Sequence, residues 1–175
     1  MDIGVFGASG YVGGVLLTLL LNHPETKIAY ATSRRYANKP VFKVHPHLRK
    51  ASSLKFIRPE EALELNVDLV FTALPHKSSA DIVVKLYDRG IRVVDLSADF
   101  RLKNPKAYKI WYNWEHPYPD MLSKATHGFP EFFREDIRNS RLVSVPGCMA
   151  NASILALIPI VERSLIDPKH VVIDA

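Results

Sequence analysis

Seven residues near the N-terminus constrain the fold more than any others. Gly7-Ala8-Ser9-Gly10-Tyr11-Val12-Gly13 follows directly on the apolar run Asp2–Phe6 and opens the apolar segment Tyr11–Asn22. Glycines spaced G-x-x-G-x-x-G between a strand and a helix let the chain turn tightly and bring backbone N–H groups close to a pyrophosphate. The positive end of the helix dipole adds to that attraction. The glycine pattern alone is a weak signal. Its placement at residue 7, between a strand and a helix, reads as a dinucleotide fingerprint built on Gly7, Gly10 and Gly13.

The rest of the chain repeats the same rhythm. Strands are expected at Asp2–Phe6, Lys27–Thr32, Leu54–Ile57, Val67–Leu74, Ile91–Leu96 and Leu142–Val145. Helices are expected at Tyr11–Asn22, stopped by Pro24, and at Pro59–Leu65, Ser78–Arg89 (ending at Gly90) and Cys148–Arg163. Alternating strands and helices mean an α/β fold, and continuous apolar strands mean a parallel sheet covered on both faces. The expected architecture is a Rossmann-type doubly wound sheet over residues 1–146. Residues 147–175 then begin a second, α+β substrate or dimerisation domain. Val171–Ala175 reads as a strand of that second domain, so the sequence is expected to stop inside it. Two stretches break the rhythm and are expected to be irregular: Arg34–Ser53, and the aromatic- and proline-rich Asn104–Pro130.

The end of the second strand selects the cofactor. A site for NAD usually places an acid there to hold the ribose 2′-hydroxyl. Here the strand runs into Thr32-Ser33-Arg34-Arg35, without an acid. A hydroxyl and two guanidiniums suit a 2′-phosphate, so NADP(H) is expected, with Ser33, Arg34 and Arg35 as its contacts.

Cys148 is the only cysteine, so no intrachain disulfide can form. It follows Ser144-Val145-Pro146-Gly147 at a strand-to-helix junction. The first turn of a helix favours a thiolate, and its free N–H groups can stabilise a neighbouring oxyanion. A lone cysteine is more often a small buried hydrophobe. A dinucleotide domain upstream makes thioester chemistry the better reading.

Composition narrows the function class. Of 175 residues, 47% are hydrophobic and 23% charged, enough apolar surface for a real core. No apolar run spans a bilayer, and Met1-Asp2-Ile3-Gly4 lacks the regions of a signal peptide, so a cytoplasmic protein is expected. The +5 net charge is scattered, as at Arg34-Arg35 and Arg49-Lys50. That pattern suits a solvated surface first, an anionic ligand or acidic protein partner next, and nucleic acid last. No metal site is expected.

At this point the residues resemble a known family: N-acetyl-γ-glutamyl-phosphate reductase and its relative acting on L-2-aminoadipate 6-phosphate linked to an amino-group carrier protein, both of the aspartate-semialdehyde-dehydrogenase type. The resemblance runs through GASGYVGG (Gly7–Gly14), TSRRYANKP (Thr32–Pro40), HPHLR (His45–Arg49), ALPH (Ala73–His76), VVDLSADFRL (Val93–Leu102), HGFPE (His127–Glu131) and VPGCMA (Val145–Ala150). It implies that a cysteine thiolate displaces phosphate from an acyl phosphate, and that NADPH reduces the resulting thioester to a semialdehyde, in lysine or arginine biosynthesis. It also implies that Cys148 is the nucleophile and that Gly7, Ser9, Gly10, Tyr11, Val12 and Gly13 hold the pyrophosphate. Pro75 and Ser97 are placed near the cofactor. Glu131 is placed facing the site. Asp99 and Arg101 are read first as packing or loop-fixing residues and second as substrate contacts. The segment Trp111–Ile137 is closest to the carrier-linked branch, whose partner is a small acidic protein. A homodimer or homotetramer is the expected assembly.

The chain departs from the family's pattern at His127, where tyrosine is usual, and at Lys77, where glycine is usual. The family's acid/base histidine is expected beyond residue 175. Two other classes share parts of the signal. Short-chain dehydrogenases and epimerases use a Tyr-x-x-x-Lys pair, but none of the seven tyrosines here has lysine four residues on. A non-catalytic NADP-binding module would lack acyl transfer to Cys148.

Overall fold

Asp2–Phe6 forms β1, an interior strand of the sheet. Its side chains alternate between two apolar layers. Ile3 and Val5 pack on one side with Leu17, Leu20 and Phe56, and Phe6 packs on the other with Val70, Val83 and Leu86. This two-sided burial is why the strands read as continuous apolar runs. Replacing a fully buried Leu17 or Leu86 by alanine would cost about 2–5 kcal/mol.

The computed structural model describes residues 1–49, 51 and 53–174. Lys50 and Ser52, in the expected loop Arg34–Ser53, and Ala175, in the expected terminal strand, lie outside the described residues. After β1 come α1 (Tyr11–Leu21), β2 (Lys27–Thr32), β3 (Phe56–Ile57), α2 (Pro59–Leu63), β4 (Leu69–Thr72), α3 (Ala80–Asp88) and β5 (Arg92–Asp95). Then follow α4 (Pro105–Tyr112), α5 (Pro119–Leu122), β6 (Thr126–His127), α6 (Pro130–Asn139), β7 (Leu142–Ser144) and α7 (Cys148–Glu162). The sheet order is β3-β2-β1-β4-β5-β7-β6, and every pairing is parallel. The chain winds outward from β1 to β3 on one side and from β4 onward on the other. The expected α/β doubly wound sheet is therefore the observed one, and its switch point lies between β1 and β4.

Two expectations need correction. Asn104–Pro130 is not irregular. Asn104 caps α4 by accepting a hydrogen bond from the Lys106 N–H (3.0 Å), and Pro105, Pro119 and Pro130 each begin a helix. Proline at the first helical position loses no hydrogen bond and is preset for the turn. The stretch also contributes β6 at the sheet edge. Residues 171–174 carry no strand. Val171 is extended but has no ladder partner among the described residues. The described residues of the Arg34–Ser53 stretch include two 3-10 turns, Val41–Lys43 and Pro46–Leu48.

The chain divides into two compact units, Met1–Val145 and Pro146–Ala175. The first holds the whole sheet. The second consists of α7 and a 3-10 turn at Pro168–His170, and α7 buries none of its residues. No helix among the described residues is long and apolar enough to cross a membrane.

Candidate functional site

The switch point carries a groove of about 600 Å³ at the carboxyl ends of β1, β2 and β4. Gly7 shapes it. Its φ is +73°, and a Cβ there would lie 2.1 Å from the Ala73 carbonyl oxygen, so only glycine lets the turn approach the end of β4. Thr32 ties the turn to β2: its Oγ1 accepts from the Gly7 N–H (3.2 Å), and its carbonyl accepts from the Ala8 N–H (3.1 Å). Ser9 and Ser33 share a hydroxyl hydrogen bond of 2.9 Å across the groove floor.

Most of the expected cofactor residues meet here. Gly7, Ser9, Gly10, Tyr11, Val12, Ser33, Arg34, Arg35 and Pro75 all line the groove, joined by Thr32, Pro59, Ala73, Leu74, Ser78 and Ile82. Arg34 and Arg35 are exposed at the mouth. The Arg34 guanidinium donates to Glu60 Oε1 through Nη2 (3.1 Å) and Nε (3.3 Å). A backbone hydrogen bond at the start of α2, then Arg34, hold the Glu60 carboxyl below its usual range. Arg35 lies over the Tyr36 ring, 5.2 Å from its centroid. The residues present fit a nicotinamide dinucleotide: an open glycine turn at a helix N-terminus for the pyrophosphate, and two guanidiniums at the far end.

Four expected residues have other places. Gly13 is buried behind the turn, where a Cβ would lie 2.5 Å from the Gly7 carbonyl oxygen. It lets α1 pack close to the turn and does not line the groove. Ser97 is buried, and its hydroxyl donates to Asp95 Oδ2 (2.7 Å) and accepts from the Asp99 N–H (3.0 Å), so it shapes a loop and does not reach the groove. Arg101 donates to the carbonyls of Val145 and Leu96, both at 2.9 Å, and so holds the ends of β5 and β7 together. Glu131 is exposed in the first turn of α6, outside the groove.

Beneath the groove lies a buried carboxylate network. Asp95 Oδ1 accepts from Thr72 (2.6 Å) and Ser79 (2.7 Å) hydroxyls. Burial pushes the Asp95 carboxyl up, partly offset by these donors and Ser97. Asp99 accepts from the N–H groups of Lys77 (2.7 Å), Ser79 and Ala80 (both 3.0 Å), capping the start of α3. His116 Nε2 hydrogen-bonds the Asp99 carbonyl oxygen (2.7 Å) from within an aromatic cluster. Burial lowers the His116 pKa.

Sequence reasoning missed Gly14 and His45 as supports of this site. His45 Nε2 lies 2.9 Å from the Ala8 carbonyl oxygen, and a Cβ on Gly14 would lie 2.6 Å from the His45 ring. The only sequence signal for them was their place within the quoted GASGYVGG and HPHLR segments.

In the second unit, Cys148 is exposed as the first residue of α7. Gly147 caps that helix without a side-chain hydrogen bond. Cys148, Met149, Ala152, Ser153, Ile173 and Asp174 line a shallow depression there.

Residues 2–140 match the model of the semialdehyde dehydrogenase NAD-binding domain family. The chain is similar to the curated LysW-L-2-aminoadipate/LysW-L-glutamate phosphate reductase of Saccharolobus solfataricus, at 51% identity over 98% of this chain and 49% of that protein. It is 48% identical to the one of the same name from Sulfurisphaera tokodaii, over 98% of this chain and 50% of that protein. The chain thus spans about half the length of the curated relatives it matches. Among solved structures, the aspartate semialdehyde dehydrogenase of Francisella tularensis shares the fold with a TM-score of 0.63 at 12% identity, over 94% of this chain and 41% of that one. The Candida albicans enzyme, solved with NADP, has a TM-score of 0.60 at 20% identity, over 93% of this chain and 47% of that one. By its sheet, its glycine turn and this match over most of its length, the chain belongs to the semialdehyde dehydrogenase NAD-binding domain family.

Proposed function

We propose that the protein reduces an acyl phosphate to a semialdehyde with NADP(H), using Cys148 as nucleophile. Its substrate is the aminoadipate or glutamate phosphate carried on LysW, by analogy with relatives of that name at about 50% identity. The observation that carries this reading is the placement of Cys148, exposed at the first position of α7. There the sulfur attacks the acyl carbon, the carbon–sulfur bond forms as the carbon–oxygen bond to phosphate breaks, and inorganic phosphate leaves. The N–H groups of the first turn of α7 are left free by the missing side-chain cap and stabilise the oxyanion formed on the way. The bound dinucleotide supplies the hydride that reduces the thioester carbon. Gly7, Ser9, Gly10, Tyr11 and Val12 hold its pyrophosphate, and Ser33, Arg34 and Arg35 hold a 2′-phosphate. Pro75 borders the bound cofactor. Glu131 is proposed as a substrate contact.

Acyl transfer tests this directly. The protein mixed with LysW-bound aminoadipyl phosphate, without NADPH, should release a stoichiometric burst of phosphate and gain the acyl mass on Cys148. Cys148→Ser should give neither and should bind NADPH as before. A burst of equal size from Cys148→Ser would overturn the assignment.

A further inference from the structure

We infer that His45 is a positioning residue for the dinucleotide turn, holding the Ser9 N–H toward the cofactor's pyrophosphate through its hydrogen bond to the Ala8 carbonyl. The inference rests on the reading of the groove as a dinucleotide site. His45 is buried, and its Nε2 lies 2.9 Å from the Ala8 carbonyl oxygen. A carbonyl only accepts, so Nε2 carries the proton.

The ring is held from every side. Its backbone N–H donates to Val41 and its carbonyl accepts from Leu48, both at 2.9 Å, which fixes it between the two 3-10 turns. The Phe56 and His47 rings pack against it at centroid distances of 6.4 and 5.9 Å. His47 Nε2 in turn hydrogen-bonds Thr18 Oγ1 of α1 (3.1 Å). On the α1 side the ring fills the space over Gly14, where a Cβ would lie 2.6 Å from Cε1 and 2.7 Å from Nδ1. Glycine at 14 is what admits the ring.

The consequence follows from peptide geometry. In a planar trans peptide the carbonyl and the following N–H point in opposite directions. Pinning the Ala8 carbonyl to His45 therefore turns the Ser9 N–H away from the buried side. Ala8 is buried, whereas Ser9 lines the groove. Among the described residues, the Ser9 N–H has no partner within the protein. It is a donor aimed at a ligand and kept there by a side chain that never touches the ligand.

The test uses two ligands. NADPH carries the pyrophosphate, and adenosine 2′-monophosphate carries only the 2′-phosphate. His45→Ala should weaken NADPH binding about tenfold, as expected when one anion-directed donor is lost, and leave adenosine 2′-monophosphate unchanged. His45→Gln, whose amide nitrogen lies the same number of bonds from Cβ, should restore most of the NADPH affinity. Gly14→Ala, which displaces the ring without removing it, should mimic His45→Ala, and it serves if His45→Ala does not fold. Variants that bind NADPH like the parent, or that lose both ligands equally, would overturn the inference. A parent protein that binds adenosine 2′-monophosphate but not NADPH would instead overturn the reading of the turn.

Discussion

Arg34 and Glu60 form an ion pair at the mouth of the groove, with the guanidinium Nη2 3.1 Å from the carboxylate oxygen. Both side chains are well exposed, so the pair itself contributes little to stability. On the proposed NADP(H) reading, a 2′-phosphate and Glu60 would compete for the same guanidinium. Replacing Arg34 and Arg35 by alanine should sharply weaken NADPH while leaving NADH nearly unchanged. Glu60→Gln should act in the opposite direction and tighten NADPH a few-fold, because it frees Arg34 and removes a negative charge. Fluorescence titration with both cofactors reads the two effects. Equal weakening of NADPH and NADH in the arginine variant would mean that these guanidiniums do not read the 2′-phosphate.

Tyr30 offers a stability test away from the groove. Its ring fills the space over Gly4, where a Cβ would lie 2.2 Å from it, and its buried hydroxyl has no hydrogen-bond partner among the described residues. Burial pushes its pKa up to about 12. An unpartnered buried hydroxyl costs about 1–3 kcal/mol. Tyr30→Phe keeps the edge-to-face contact with Phe6 and removes that cost. Thermal denaturation should show the variant at least as stable as the parent. A clear loss of stability would mean that the hydroxyl is satisfied.

The glycine turn and the alternation of apolar runs carried most of the fold, because both are local patterns with few structural solutions. Gly7, Thr32 and the Ser33–Arg35 segment could be placed in one groove from strand order alone. The His45–Ala8 contact could not, since it joins residues 37 positions apart through a loop without periodicity. Ser97 shows a different limit. A serine at a strand end can face the groove or turn inward, and only the buried Asp95 carboxylate decided which. The proline-rich stretch Asn104–Pro130 reads as irregular, whereas Pro105, Pro119 and Pro130 each begin a helix. Proline breaks a helix from inside but suits its first position, and spacing alone does not tell these apart.

Lys77 stands at a position where the resemblance implies glycine. Its φ is +68°, the left-handed region that glycine enters without strain. Its N–H donates to Asp99, which helps hold this conformation. Lys77→Gly should stabilise the fold by about 1 kcal/mol, the usual order of the left-handed penalty, and raise Tm by about 2–4 °C for a chain of this size. An unchanged or lower Tm would mean that the lysine side chain, with its ammonium 3.4 Å from the Asn113 carbonyl, offsets the strain.

The His116–Asp99 contact gives a pH dependence with a definite sign. Burial lowers the His116 pKa below the ordinary value of 6.5, and its hydrogen bond to the Asp99 carbonyl only partly opposes this. The unfolded chain then binds the proton more readily than the folded one. Stability from this group is therefore full above 6.5, falls as the pH drops below that value, and levels off once the folded-state pKa is passed. The informative quantity is the difference from His116→Gln, which cannot protonate there. The variant will be less stable at neutral pH, having lost ring packing against Tyr108 and Trp114. Its deficit in Tm should shrink as the pH is lowered from 7 toward 5, because only the parent loses stability through this ring. Parallel Tm curves for the two proteins would show that His116 does not titrate differently in the folded and unfolded states.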